Sequence, residues 1–171
     1  MGYSFYILCL LAGSGFALSL ELSDYDNVRE YYDSAIQSRE NGDSEKCLRL
    51  LSKIEANHIE SNYIIAEIYL NEIKNPNIAL DYYNQVMKKV ENSLSEGSEL
   101  EKNTNLYRKS LFMSSYIYSN YLGMYSTAYK SYESFLGKFP NDELIESVKY
   151  EMELLKPLED SKKQIIRRND G

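Results

Sequence analysis

The sequence predicts an all-α fold: an antiparallel helix-hairpin solenoid of about three repeats, closed by a C-terminal helix. Three observations carry the prediction. Glycine and proline number 8 and 3 in 171 residues, so long stretches lack a breaker, and strand-like alternation is scarce. Tyr118, Tyr121, Tyr125, Tyr129 and Tyr132 recur at helical steps, and Gly123 interrupts the row. Three segments look alike: each reads as a helix with apolar or aromatic residues at i, i+3 and i+4, then a turn, then a second amphipathic helix.

The first segment runs from Tyr31 to Ile54 and turns at Asn41-Gly42-Asp43. The second, Asn62 to Met87, turns at Asn75-Pro76-Asn77, and the third, Leu111 to Leu136, at Gly123-Met124-Tyr125. Where two antiparallel helices cross closely, each needs a small side chain. Ala35, Ala66 and Ser115 supply it on the first helices; Cys47, Ala79 and Ala128 supply it on the second. Four residues beyond those lie Leu51, Tyr83 and Tyr132, on the same helix face. The tyrosine row therefore belongs to both helices of one hairpin. Phe139-Pro140-Asn141-Asp142 ends the third unit, because proline stops a helix and Asn or Asp caps the next. Leu144, Ile145, Val148, Met152 and Leu155 then form an amphipathic stripe for a helix that covers the last exposed face.

These units resemble tetratricopeptide repeats, helix–turn–helix modules of about 34 residues. The third unit carries the resemblance best, with Gly123, Tyr125, Ala128, Tyr132 and Phe139-Pro140. The second has Tyr63, Ala66, Leu70, Ala79 and Tyr83; the first has Ala35, Gly42, Cys47 and Leu51. The sequence departs from the pattern in having no tryptophan. Ala66 and Ser115 also sit one position further from their partner alanines than a standard repeat allows. Either those turns are longer or the register shifts by one. The step from Cys47 to Ala79 is close to one repeat, but the step from Ala79 to Ala128 is about half as long again. The excess falls on the polar stretch 91–105, read as an extended loop or as lengthened helix ends.

The chain carries no charged side chain before Glu21. An apolar run from Phe5 to Ala12, then small residues, then an acidic segment resembles a secretory signal, with cleavage after Ala17-Leu18-Ser19 or, second, after Gly15-Phe16-Ala17, and a buried helix as a further reading of the segment. No Lys or Arg precedes the apolar run. The expected organisation is a signal segment over 1–19, a helical repeat domain over 20–155 with the polar insertion 91–105, and a basic flexible tail over 156–171. Export to the periplasm is the expected location, with secretion or a retained N-terminal anchor, and hence membrane proximity, as the alternatives. Cleavage removes Cys9 and leaves Cys47, so no internal disulfide is expected.

Charge and motifs exclude several classes of function. The balance is 26 acids against 19 bases, a net charge of −7, which argues against non-specific nucleic-acid binding. No metal-ligand cluster or phosphate-binding glycine loop is present, so neither metal nor cofactor is expected. His58 reads as a solvated loop residue without a catalytic partner. Cys47 reads as a small core residue, and Glu99/Glu101 and Glu151/Glu153 as solvated faces. The basic stretch Lys162–Arg168 reads as a soluble tail or a contact to an anionic membrane surface. No catalytic constellation emerges, so the chain is not expected to be an enzyme.

The resemblance implies a groove lined by the first helix of each pair, able to receive a peptide or a protein partner. The residues it places there are Arg29, Tyr32 and Arg39; Tyr63, Glu67 and Asn71; and Lys109, Phe112, Tyr116 and Asn120. Asn71, Lys109 and Asn120 make a partial set for the carboxylate clamp that some repeats of this family carry. The alternative for each tyrosine is packing between repeats. The expected function is a protein-binding scaffold. The competing readings are a tyrosine-lined pocket for a sugar or lipid, and an anchored assembly factor.

Overall fold

The computed structural model of the chain describes residues 27–93 and 97–156. The signal-like segment 1–19, Cys9 and the tail beyond residue 156 lie outside the described residues. Among those described there are seven helices and no strand. The chain is all-α and built of helix hairpins, as the sequence predicts. The helices are α1 (27–40), α2 (Ser44–Leu51), α3 (Ile59–Asn71), α4 (Pro76–Asn92), α5 (Gly97–Asn120), α6 (Tyr125–Lys138) and α7 (145–156). They fall into two compact units that divide between Ser61 and Asn62.

In the first unit, α1 and α2 form a hairpin with Ala35, Cys47 and Leu51 fully buried. Gly42 turns the chain at φ 79°, a left-handed conformation that only glycine adopts without steric cost. Asp43 caps α2 by accepting from Lys46 N. His58 is not the solvated loop residue expected. It is half-buried, edge-on to the Tyr32 ring at 4.8 Å, and its Nδ1 accepts from Ser61 N while lying 2.7 Å from Ser61 Oγ. A side chain just before a helix that accepts from the third residue's N–H is a cap, so His58 holds the start of α3.

In the second unit, α5 packs against α4 on one side and α6 on the other. Two clusters fill it. Ala66, Leu70, Ala79, Leu80, Tyr83 and Ile117 form the first; Tyr107, Leu111, Ala128, Tyr132, Phe135, Val148, Met152 and Leu155 form the second. Tyr83, Tyr132 and Phe135 are the largest fully buried side chains, each ring contributing about 2–3 kcal/mol by leaving water. Ala79 and Ala128 are fully buried, as close crossings require. At the α5–α6 crossing, Ser115 Oγ donates to Leu111 O at 2.7 Å and meets Ser131 Oγ at 2.6 Å.

The spacing anomaly resolves into longer turns. In the first hairpin the closing bond runs from Asp43 N to Ser38 O, five positions back. In the second, Asn75 N reaches Tyr69 O, six positions back; in the third, Met124 N reaches Tyr118 O, also six. The inner bonds match as well, Ile73 N to Ile68 O and Leu122 N to Ile117 O. The second and third turns each contain one residue at positive φ, Lys74 and Gly123, both at 61°. These two hairpins thus repeat bond for bond at the offset that carries Ala79 to Ala128. The second turn sits earlier than Asn75-Pro76-Asn77: Asn75 caps α4 by accepting from Ile78 N, and Pro76 opens the helix. The polar stretch takes the lengthened-helix form. α4 runs to Asn92, and 97–105 supply the first turns of α5, with Asn103 buried.

Candidate functional site

The groove residues expected from sequence are best considered unit by unit. In the first, Arg29 is exposed and pairs with Asp33 across one helical turn at 3.8 Å. Tyr32 is half-buried against His58, and burial followed by a hydrogen bond to Glu60 raises its phenol well above the usual tyrosine range. Arg39 is half-buried near the C-terminus of α1. An open cavity of about 550 Å³ lies along α1 over Tyr32, Asp33, Ile36 and Glu40. Tyr32 is thus fixed by its own unit rather than free to reorient.

In the second unit the two expected aromatic residues turn inward. Tyr63 lies edge-on to Tyr83 at 5.7 Å and 66°, and Phe112 meets Tyr132 at 6.0 Å and 60°. These are one contact repeated at the same hairpin-to-hairpin offset, which makes it part of hairpin packing. Phe112 also touches Phe135 at 6.3 Å. One helical turn further on, the side chains open outward. Glu67 is half-buried, Asn71 exposed, Tyr116 half-buried and Asn120 exposed. Lys109 is half-buried one turn before Phe112. Asn120 Nδ2 donates to Ser119 Oγ at 2.6 Å and to Tyr116 O at 3.3 Å, and the Tyr116 ring is edge-on to Tyr121 at 6.2 Å. The C-terminal half of α5 therefore presents a braced aromatic and amide surface.

Helix α7 adds residues that sequence reasoning missed. Tyr150 is 61% exposed and Leu154 51%, among the most exposed large apolar side chains described. They follow Tyr116 and Asn120 by one repeat length. That spacing is the signal that could have found them. Reading α7 as a closing stripe draws attention to its buried side, which is Val148, Met152 and Leu155.

At the other end of α5, an open cavity of about 690 Å³ is lined by Glu101, Asn105, Arg108, Phe139 and Asp142. Arg108 donates to Asp142 at 2.7 Å, to Glu143 at 3.2 Å and to Asn105 at 2.8 Å, fastening α5 to the loop before α7. Tyr107 donates to Glu91 at 2.8 Å beneath the Lys138 ammonium. Burial first, and then the Glu91 carboxylate, push its phenol up. These contacts use the polar groups of this region for structure. Among the described residues no group of three or more His, Cys, Asp or Glu is placed to hold a metal ion. No described helix is long and apolar enough to cross a membrane.

Residues 109–142 match the family model of the tetratricopeptide repeat. The match begins at Lys109 in α5, crosses the Gly123 turn and α6, and ends at Asp142. It covers the hairpin whose residues carry the resemblance most fully. No curated protein matches the chain, and no solved structure does. Repeats of this family generally mediate protein–protein binding and are typically non-catalytic.

Proposed function

We propose that the chain is a non-catalytic scaffold that binds a protein or peptide partner on the exposed face of α5 and α7, with export to the cell envelope as its setting. The observation that carries the reading is the matched repeat over 109–142. Within it Asn120 is exposed and bonded to Ser119 and to Tyr116 O, Tyr116 is half-buried, and Tyr150 and Leu154, one repeat length further on, are exposed. Tyrosine supplies large contact area with little loss of rotamer freedom, which suits a protein-binding face. Tyr63 and Phe112 pack against Tyr83 and Tyr132 within their hairpins. The uncharged segment 1–19 supports the envelope setting.

The test is crosslinking and pull-down from a native envelope extract with the full chain and with Tyr116→Ala/Tyr150→Ala. A specific partner captured by the native chain and lost at least tenfold with the double variant supports the reading. Capture that ignores the substitutions, or catalytic turnover lost on changing His58, refutes it. N-terminal sequencing of the mature protein tests export, with a start near Leu18 or Leu20 expected.

A further inference from the structure

Among the described residues six large apolar or aromatic side chains are exposed. Four of them, Ile73, Tyr121, Met124 and Leu154, lie at one end of the second unit, each between 44% and 51% exposed. Topology puts them there. Helices α3 to α7 follow one another through short connections, so each runs antiparallel to the last. The α3–α4 turn, the α5–α6 turn and the last residues of α7 therefore share an end. Packing agrees. Leu122 of the third turn packs on the cluster that holds Leu70, Ala79 and Leu80 of the second hairpin. Tyr118 and Tyr125 pack on the cluster that holds Met152 and Leu155. Arg108 fastens the loop before α7 to the first half of α5, so α7 runs on toward the α5–α6 turn.

This end lacks the usual obstacles to entering an apolar medium. No side chain from Ser110 to Tyr129 is charged. In the α5–α6 turn the N–H groups of Tyr121, Leu122 and Met124 donate back to α5 at 3.1, 3.2 and 2.8 Å. A turn whose amides are already bonded meets an apolar boundary without stranding them. The described charges at this end are Lys74 and Lys156 against Glu72 and Glu153, which cancel, in a chain of net charge −7. From here the sequence continues into Lys162–Arg168, which has four bases, two isoleucines and no acid.

We propose that this end of the second unit seats on the interface of an anionic lipid bilayer. Ile73, Met124 and Leu154 enter the acyl boundary, Tyr121 lies at headgroup level with its hydroxyl in water, and the bases of 162–168 meet the lipid phosphates. Apolar tips set apart on two turns and a helix end suit a fluid surface, which closes around each of them; a protein partner would need a socket for each. Such a seat is peripheral and needs no spanning helix. The inference goes beyond the protein-binding reading and does not depend on it, since Tyr116 and Tyr150 lie further back along α5 and α7 and only Leu154 belongs to both surfaces.

The native chain has no tryptophan, so a single indole reports on one place. Full-length Met124→Trp and, at the opposite end of α5, Leu100→Trp are mixed with vesicles of phosphatidylcholine and phosphatidylglycerol, and with vesicles of phosphatidylcholine alone. Leu100 is at least as exposed as Met124, so it serves as the control. Met124→Trp should show blue-shifted emission and quenching by acyl-brominated lipid on the anionic vesicles, and Leu100→Trp neither. Affinity should be about tenfold weaker or more on phosphatidylcholine alone and in high salt. Adding Ile73→Ser and Tyr121→Ser should weaken it about tenfold or more with Tm unchanged, because both side chains are exposed in the free chain. Vesicle binding in which the indole at 124 stays in water assigns the contact to another segment, such as 1–19, and overturns the inference. Equal quenching at both ends, or equal affinity for both vesicles, overturns it too. So does a shift given by a membrane-free extract and not by vesicles, which would mark this end as a protein site. Failure to capture a partner through Tyr116 and Tyr150 would sink only the protein-binding reading.

Discussion

Lys74 and Gly123 occupy the same left-handed position in two copies of one turn, so exchanging their chemistry should have opposite effects. A residue with a Cβ at φ near +60° costs about 1–2 kcal/mol against glycine in the folded state. Glycine in return loses roughly 0.4–1 kcal/mol more than other residues when the unfolded chain is ordered. Lys74→Gly is therefore expected to stabilise by about 0.5–1 kcal/mol, the difference of those terms. Gly123→Ala is expected to destabilise by about 0.5–1 kcal/mol, the same difference with the opposite sign. Packing does not confuse the second figure. A Cβ built at Gly123 comes no closer than 3.9 Å to any neighbour, the Tyr125 hydroxyl, which is ordinary contact. Lys74 is exposed, so its ammonium is kept from nothing by the change. Urea unfolding followed by far-UV circular dichroism reads both variants. With a slope of about 2 kcal/mol/M, the glycine variant moves the midpoint up by about 0.3–0.5 M and the alanine variant moves it down by a similar amount. The double variant should fall near the sum, since the sites lie in separate turns. If Gly123→Ala costs no more than a few tenths, or Lys74→Gly destabilises, the two turns do not share a conformation and the correspondence between the hairpins fails.

Three further outcomes follow from named contacts. Met124 stands where Asp43 and Asn75 cap their helices, but it makes no side-chain cap bond; Met124→Asn should raise stability by about 1 kcal/mol in thermal unfolding, and Asn75→Ala should lower it by a similar amount. Arg108 and Asp142 are only 16% and 8% exposed, whereas Glu143 is 77% exposed. Arg108→Ala should cost about 3 kcal/mol by leaving Asp142 buried and unpaired, and Glu143→Gln less than about 0.5 kcal/mol, both read by urea midpoints. Burial raises Tyr32, Tyr107 and Tyr132 above the ordinary 10. A group with a raised folded pKa contributes stability that is whole below pH 10 and declines as pH climbs from there through the folded value. Phenolate absorbance should show the fraction due to Tyr32, Tyr107 and Tyr132 appearing late and together with loss of helix; complete ionisation with helix intact would contradict that order.

The parts of the fold legible in sequence are those where sterics leave little choice. Close helix crossings demand small residues, and Ala35, Cys47, Ala66, Ala79, Ser115 and Ala128 are all fully buried. Glycine marks two of the three left-handed turns. The third is hidden because lysine fills it, and nothing in that side chain announces the backbone. Pro76 draws the predicted turn toward itself, although a proline fits the first position of a helix as well as a turn. The stretch 97–105 looks like an insertion because a helix solvated on most sides has the composition of a loop. His58 reads as solvated for want of a catalytic partner, whereas its role is set by one backbone N–H. For the candidate site, spacing picks out Glu67 and Asn71 on α3 and Tyr116 and Asn120 on α5, which are half-buried or exposed. It does not reveal that Tyr63 and Phe112 turn inward, since an aromatic ring serves packing and contact equally well.

The serine pair between α5 and α6 has a mechanical consequence. Greasy surfaces tolerate small slides, because one methyl contact replaces another with little change in energy. The Ser115–Ser131 bond is a dowel through the two rods. Advancing α6 by one turn would break that bond, leaving Ser115 its bond to Leu111 O alone and Ser131 without this partner. The third hairpin therefore has a single seating, and whatever docks on its outer face meets a template of fixed pitch.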